Sequence, residues 1–299
     1  VTALVLALPG SEAAGRAVST HTTFPLGAVE SRCFPDGETY LRIDADCAGA
    51  TVLLVGSLDR PDPKLLPLAF LADAARAQGA RRVGLVAPYL AYMRQDIQFR
   101  PGEAVTSRTF AALLSAQVDW LVTVDPHLHR YRALGEIYRV PARVVHAAPA
   151  LAAWTAAHVA QPLVVGPDEE SAQWVRDVAS RAGAPLVVMK KTRRSDRVVE
   201  ITAPDVSAWR DRTPVVVDDV VSSGQTMVET VKRLVAAGLA PPVCLAVHAL
   251  FSSEVEDALR AAGASRIVAT NTTCHPAGVI DIVPLLVPAI VDLAGEHGS

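Results

Sequence analysis

Short apolar runs bounded by turn residues recur along the chain, and helical periodicity fills the intervals between them. Ala3 to Leu8, Thr51 to Gly56, Arg82 to Ala87 and Asp119 to Val124 read as strands in the first half. Leu163 to Gly166, Leu186 to Met189, the run from Val215, Val243 to Leu250 and Arg266 to Thr270 read as strands in the second. Runs this short suit strands buried on both faces of a parallel sheet. Helices are predicted over Lys64 to Ala77, from Thr106, and over His146 to Ala157. A further one follows residue 226, with Met227, Val228, Val231, Leu234 and Val235 on its apolar face, and Gly79 and Gly238 stand where helices should stop. Ser253 and Glu256 predict a capping box on a short helix closing at Gly263, and the stretch from Val283 predicts a short strand and a helix. Asp36-Gly37 predicts a hairpin turn leading into an alternating strand.

Strand and helix alternate as in βαβ units, so the expected fold class is α/β with mainly parallel sheets flanked by helices. The rhythm restarts near Val145, which divides the chain into domains of residues 1–145 and 146–299, with the last helix able to return to the first domain. The two halves share the rhythm without obvious sequence identity, as a duplicated fold would.

Composition narrows the partners. At 299 residues, 51% apolar and with a net charge of -3, the chain can build large cores and offers nothing that calls for nucleic acid or a membrane surface. No uninterrupted apolar run is long enough to span a bilayer and no basic leader opens the chain, so a cytoplasmic location is expected. Cys33, Cys47, Cys244 and Cys274 form no C-x-x-C pair, and are expected to be small, mostly buried side chains rather than zinc ligands or disulfides.

The chemistry concentrates after Val215, in V-V-V-D-D-V-V-S-S-G-Q-T-M. At the carboxyl end of a buried parallel strand, Ser222, Ser223, Gly224 and Thr226 would aim N–H groups and hydroxyls at one point, beside the positive end of the next helix. That suits a phosphate. Asp218 and Asp219 would repel phosphate and are better used on sugar hydroxyls or a metal, so the ligand inferred is a phosphorylated sugar. The bland alternative is a strand that ends in Asp-Asp and a helix capped by Ser-Ser-Gly.

D-D-V-V-S-S-G-Q-T resembles the phosphoribosyl-diphosphate signature of type I phosphoribosyltransferases and of the ribose-phosphate diphosphokinases. Other segments point to the second group. F-P-D-G-E-T-Y-L-R-I from Phe34 and P-Y-L-A-Y-M-R-Q-D from Pro88, with F-R-P-G-E from Phe99, are similar to diphosphokinase motifs, most closely to those of the archaeal-type branch. D-P-H at Asp125 and P-D at Pro167 are similar to the metal motifs, and K-T-R at Lys191 to a loop that closes over ATP. As residues alone, these also read as a plain hairpin, a polar histidine loop and a solvated basic hairpin tip.

The resemblance implies two tandem type I phosphoribosyltransferase-like domains, and transfer of the diphosphoryl group of ATP to the 1-hydroxyl of ribose 5-phosphate. It implies ATP contacts at Arg94, Gln95, Asp96 and His129, completed by Phe34, Asp36, Gly37 and Glu38 of a neighbouring subunit, hence a homodimer or larger homo-oligomer. Ribose 5-phosphate would be held by Arg193, Asp218, Asp219, Ser222, Ser223, Gly224, Gln225 and Thr226. Magnesium would lie near His127 and Asp168, and Lys191 and Arg193 would be catalytic. Ile97, Glu169, Glu170 and Gln225 depart from common family residues. Three rivals stand beside this reading. A phosphoribosyltransferase would have no use for the nucleotide motifs, a regulatory homologue no use for Lys191, Arg193, His127 and Asp168, and a sugar-phosphate kinase would pass only the γ-phosphate.

Overall fold

A computed structural model of the protein describes residues 2–169, 171–195, 198–202 and 206–296. Two compact units divide the chain: Val1–Val145 with Val283–Ser299, and His146–Ile282.

The first unit is built on β1 (Ala3–Ala7), α1 (Glu12–Thr22), β2 (Leu26–Cys33), β3 (Thr39–Asp44), β4 (Thr51–Val55), α2 (Asp62–Ala77), β5 (Arg82–Ala87), α3 (Thr106–Gln117), β6 (Trp120–Val124) and β7 (Ala142–Val145). Its strands lie in the order β3-β2-β1-β4-β5-β6-β7, parallel except for the antiparallel β2–β3 hairpin. Leu4, Leu6, Val52, Leu54, Val83 and Leu85 point to one face and join Leu68, Leu71 and Leu114 of α2 and α3 in a core. The intervening Val5, Leu53, Val55, Val86 and Val122 are buried as well. A sheet covered on both faces explains why these runs are continuously apolar rather than alternating.

The second unit contains α4 (Ala148–His158), β8 (Pro162–Gly166), α5 (Ala172–Arg181), β9 (Leu186–Val188), β10 (Lys190–Ser195), β11 (Val198–Thr202), β12 (Thr213–Val221), α6 (Gln225–Ala236), β13 (Val243–Ala249), α7 (Ser253–Ala261), β14 (Arg266–Thr270) and β15 (Gly278–Ile280). Its parallel sheet runs β15-β14-β13-β12-β8-β9, and β10–β11 forms a separate antiparallel ribbon. The two sheets share one plan. In each, the first strand has the second on one side and the later strands in chain order on the other, with a hairpin strand or ribbon inserted after the second.

The last helix, α8 (Val283–Gly295), belongs to the first unit and packs on β6, β7 and α1. Leu286, Ile290 and Leu293 are its buried contacts, while Arg82 Nη1 donates to the carbonyls of Leu293 and Glu296 at its end. Arginine at a helix C-terminus satisfies carbonyls that have no intrahelical partner.

Several expectations change. The segment from Val283 is helical throughout, and the short strand precedes it as β15. Val235 is largely exposed and Thr230 takes the buried position on α6. The capping box does not form, because Ser252 rather than Ser253 is the N-cap, and Glu256 instead accepts from Arg260 at 2.6 Å. Cys33 and Cys274 are exposed, and only Cys47 and Cys244 are buried. α1, β2 and β7 went unanticipated, for reasons their burial makes plain: β2 and β7 carry scarcely a buried residue.

Candidate active site

In the second unit the strand order reverses between β8, whose following strand β9 lies on one side, and β12 on the other. Open α/β sheets bind ligands at the carboxyl ends of strands at such a switch point. β12 pairs with β8 only as far as Val216, whereas its pairing with β13 continues to Val221. The final residues of β12, Asp218 and Asp219 among them, thus border the crevice above Gly166, Pro167 and Asp168.

Asp219 N–H donates to Asp218 Oδ1 at 3.1 Å and Val220 N–H to Asp219 Oδ1 at 2.7 Å, which fixes both carboxylates against the strand. Asp218 has its carboxyl pushed well above the usual carboxylate range, first by desolvation and then by the charges of Asp219 and Asp168. Asp168 in turn accepts from Ser171 N–H at 3.1 Å, and its own carbonyl accepts from Ser171 Oγ at 2.8 Å, ordering the turn before α5.

Ser222 and Ser223 follow, and Gly224 is the N-cap of α6 with φ +67°, a left-handed conformation suited to glycine. No side chain caps α6, so its first-turn N–H groups point towards the loop mouth. Gln225 and Thr226 are residues of that first turn rather than of the loop. Asn271, Thr272 and Thr273 at the end of β14 are engaged in structural bonds: Thr272 bonds the buried His248 at 2.9 Å, Asn271 donates to Asp281 and Thr273 Oγ1 donates to the Ala249 carbonyl.

The basic segment runs along an antiparallel ribbon. Lys191 pairs with Ile201 and Arg193 with Val199 along the β10–β11 ribbon, so their backbone is strand. Their side chains, and Glu170 altogether, lie outside the described residues.

In the first unit, the candidate nucleotide residues lie on loops after β5 and β6. Arg94 is exposed and Gln95 half-buried, with Thr106 Oγ1 donating to Gln95 Oε1 at 3.3 Å. Asp96 is turned inward: Arg130 Nη1 donates to its Oδ1 at 2.7 Å. His127 and His129 follow β6 with parallel rings, 5.9 Å between centroids. The two tyrosines of P-Y-L-A-Y are structural here. Tyr92 donates to Asp62 and its ring lies 4.8 Å from that of Phe110, while Tyr89 packs on the core. Glu103 likewise serves its own turn, accepting from the N–H groups of Phe99 and Arg100 at 2.9 Å.

The ladder pairing of β2 with β1 covers Leu26 and Gly27, and residues 28–38 beyond that point are half-exposed or exposed. At its tip Gly37 adopts φ +91° and Asp36 Oδ1 accepts from Glu38 N–H, so Asp36 shapes the turn. Phe34 and Tyr40 meet edge to face at 6.1 Å, with Arg32 lying 4.7 Å and 4.2 Å from the two centroids. The base of the ribbon packs on the core through Ile43, Val29 and Leu41, while its exposed far end carries an ordered aromatic tip suited to contact with another molecule.

Among the described residues, no group of three or more His, Cys, Asp or Glu forms a metal cage. The donors at the β8–β12 crevice are instead like-charged carboxylates whose mutual repulsion a cation would relieve. One or two carboxylates with substrate phosphate and water is how magnesium is commonly held, so Asp218 with one of its charged neighbours, Asp219 or Asp168, has donor chemistry that fits that ion. His127 belongs to the first unit and Asp168 to the second. No helix among the described residues is long and apolar enough to cross a membrane.

Arg130, Tyr131 and Ser107, which the motifs do not single out, organise the loops of the first unit. No sequence signal marks them, because the role of Arg130 depends on the burial of Asp96, which only the fold shows.

Tandem α/β units with one strand plan, the second carrying a strand–loop–helix with paired aspartates at its switch point, define a pair of type I phosphoribosyltransferase-like domains. Comparison with known proteins agrees. Residues 3–117 match the model for the N-terminal domain of ribose phosphate pyrophosphokinase, and residues 134–275 match the phosphoribosyl transferase domain. A ribose-phosphate pyrophosphokinase of Methanopyrus kandleri is 36% identical over 98% of this chain and 100% of its own. One of Methanothermobacter thermautotrophicus is 31% identical over 97% and 100%. The crystal structure of phosphoribosylpyrophosphate synthetase from Mycobacterium smegmatis has the same fold, with a TM-score of 0.82, 24% identity and coverage of 97% of this chain and 98% of that one. The chain belongs to the ribose-phosphate pyrophosphokinase family.

Proposed function

We propose that the chain transfers the diphosphoryl group of ATP to the 1-hydroxyl of ribose 5-phosphate, giving 5-phosphoribosyl 1-diphosphate and AMP. The observation that carries this reading is the Asp218–Thr226 segment at the switch point of the second unit, in a chain whose full-length relatives bear the name of that activity.

The anomeric hydroxyl oxygen of the sugar attacks the β-phosphorus of ATP and gives up its proton to solvent, the bond from that phosphorus to the α,β-bridging oxygen breaks, and AMP leaves with that oxygen. Nothing covalent is asked of the protein, so alignment and charge stabilisation carry the rate. Ser222, Ser223, Gly224, Gln225 and Thr226 hold the 5-phosphate with backbone N–H groups and hydroxyls at the start of α6. Asp218 and Asp219 accept from the ribose hydroxyls and, with Asp168, hold magnesium. When bound, magnesium offsets phosphate charge. In the first unit, Arg94, Gln95 and His129 hold the nucleotide, His127 lies near its magnesium, and Phe34, Asp36, Gly37 and Glu38 of a neighbouring subunit complete the site through the exposed hairpin tip. That reading makes the active protein a homodimer or larger. Lys191 and Arg193 stabilise the charge that develops on the transferred group.

Nucleotide product separates this function from its rivals. Ribose 5-phosphate with magnesium and ATP should give AMP on chromatography; ADP would indicate a monophosphoryl kinase, and no turnover a regulatory homologue.

A further inference from the structure

The R-Q-D segment ends on a carboxylate that faces away from solvent. The Asp96 side chain has 0% of its surface exposed. An ionised carboxylate in such a place needs a cation and hydrogen bonds on both oxygens. One oxygen has them: Arg130 Nη1 donates to Oδ1 at 2.7 Å. The other, Oδ2, is buried with no hydrogen-bond partner, and stands 4.0 Å from His129 Nδ1. The backbone at Asp96 is held as well, since Tyr131 Oη donates to its carbonyl at 3.2 Å and lies 3.0 Å from Ser107 Oγ. Arg130 also lies 5.5 Å from the Phe99 ring centroid. Three consecutive residues after β6, His129 to Tyr131, therefore meet the loop between β5 and α3 at Asp96 and Phe99, and the first turn of α3 at Ser107.

We propose that Asp96 is a positioning residue: it touches no substrate, but sets Arg130 with one oxygen and orients the His129 ring with the other. The two candidate nucleotide loops are thereby held in one arrangement. A carboxylate kept only for stability would have both oxygens satisfied, because an orphaned buried acceptor is costly. The orphaned Oδ2 faces His129 Nδ1 at 4.0 Å, and a proton on that nitrogen would be its nearest donor. Carboxylates commonly fix a histidine in this way, leaving Nε2 for the ligand. The immediate neighbours Arg94 and Gln95 sit on the same anchored loop, so the latch also limits where they can stand. This inference rests on the nucleotide reading of that loop.

The test is steady-state kinetics on the full-length protein, with the wild type measured first. Failure of the wild type to form AMP would sink the nucleotide reading itself. Given turnover, Asp96→Asn and Arg130→Ala should each raise KM for ATP about tenfold, with KM for ribose 5-phosphate within about twofold of wild type. The double variant should be no more than about twofold worse than the poorer single one, because both changes open the same latch. Arg130→Lys, which keeps a cation, should recover part of the loss. An unchanged KM for ATP would overturn the proposal, as would fully multiplicative effects. A loss of kcat alone, which a reduced folded fraction produces, would overturn it too. Should Asp96→Asn fail to fold, Arg130→Ala carries the test, since that side chain is 40% exposed, and an unchanged KM for ATP in it has the same force.

Discussion

Gly224 lies so close to Val255 that a Cβ on the glycine would stand 2.3 Å from Val255 Cγ1. The contact ties the candidate phosphate loop to the first turn of α7, and the φ of +67° at Gly224 adds a second demand for glycine. Both constraints act at the residue that opens α6.

Gly224→Ala should therefore destabilise the protein by about 2 to 4 kcal/mol, the sum of a left-handed residue and an overpacked contact. KM for ribose 5-phosphate should rise by at least about tenfold, because the loop must move to relieve the clash. Val255→Ala in the same chain removes the clash but not the strained φ, so chemical denaturation should show recovery of only part of the stability.

Asp218 gives a pH-dependent signature. Its folded pKa is raised, so the stability it contributes is fully present below the ordinary carboxylate pKa and is lost as pH rises through the folded value. At neutral pH, above the ordinary carboxylate pKa, the stability lost in this way opposes folding of the ligand-free protein. Asp218→Asn should melt above wild type near pH 7 and converge on it towards about pH 4. Magnesium with ribose 5-phosphate should raise the melting temperature of the wild type and do so much less in the variant. Lower stability of the variant at neutral pH would contradict the repulsion among Asp168, Asp218 and Asp219.

Lys191→Ala should lower turnover by at least about a hundredfold while leaving the melting temperature within a few degrees of wild type. Near-normal turnover in the folded variant would remove Lys191 from the mechanism.

Thiol chemistry tests the hairpin. Burial pushes the Cys244 thiol up to about 12 and also raises Cys47, the nearby Asp46 charge adding to the latter. Both should resist a disulfide reagent until the protein unfolds, whereas the exposed Cys33 and Cys274 should react. Because Cys33 adjoins Phe34, magnesium ATP should slow its modification by about threefold or more and leave Cys274 unaffected, a difference that peptide mapping reads. Equal rates with and without nucleotide would separate the hairpin from the ATP site.

Much of this was legible in the chain itself. Buried parallel strands such as Thr51–Val55 and Arg82–Ala87 announce themselves as continuous apolar runs, because both of their faces are covered. β2 and β7 escaped for the opposite reason, being edge or hairpin strands with few buried positions. The segment from Asp218 to Thr226 was legible because its chemistry is local, carried by a strand end and a helix start. The latch at Asp96 was not, since Arg130 is 34 residues away and only the fold brings them together. Nor could spacing separate the tyrosines that support the loop, Tyr89 and Tyr92, from residues that face a ligand.

The most direct measurement is phosphorus NMR of the sugar product formed from ribose 5-phosphate and magnesium ATP. The account requires two coupled phosphorus signals, those of a diphosphate, appearing on carbon 1 in step with AMP. A single phosphoryl signal in step with ADP, or a sugar left unchanged by fully folded protein, would contradict it.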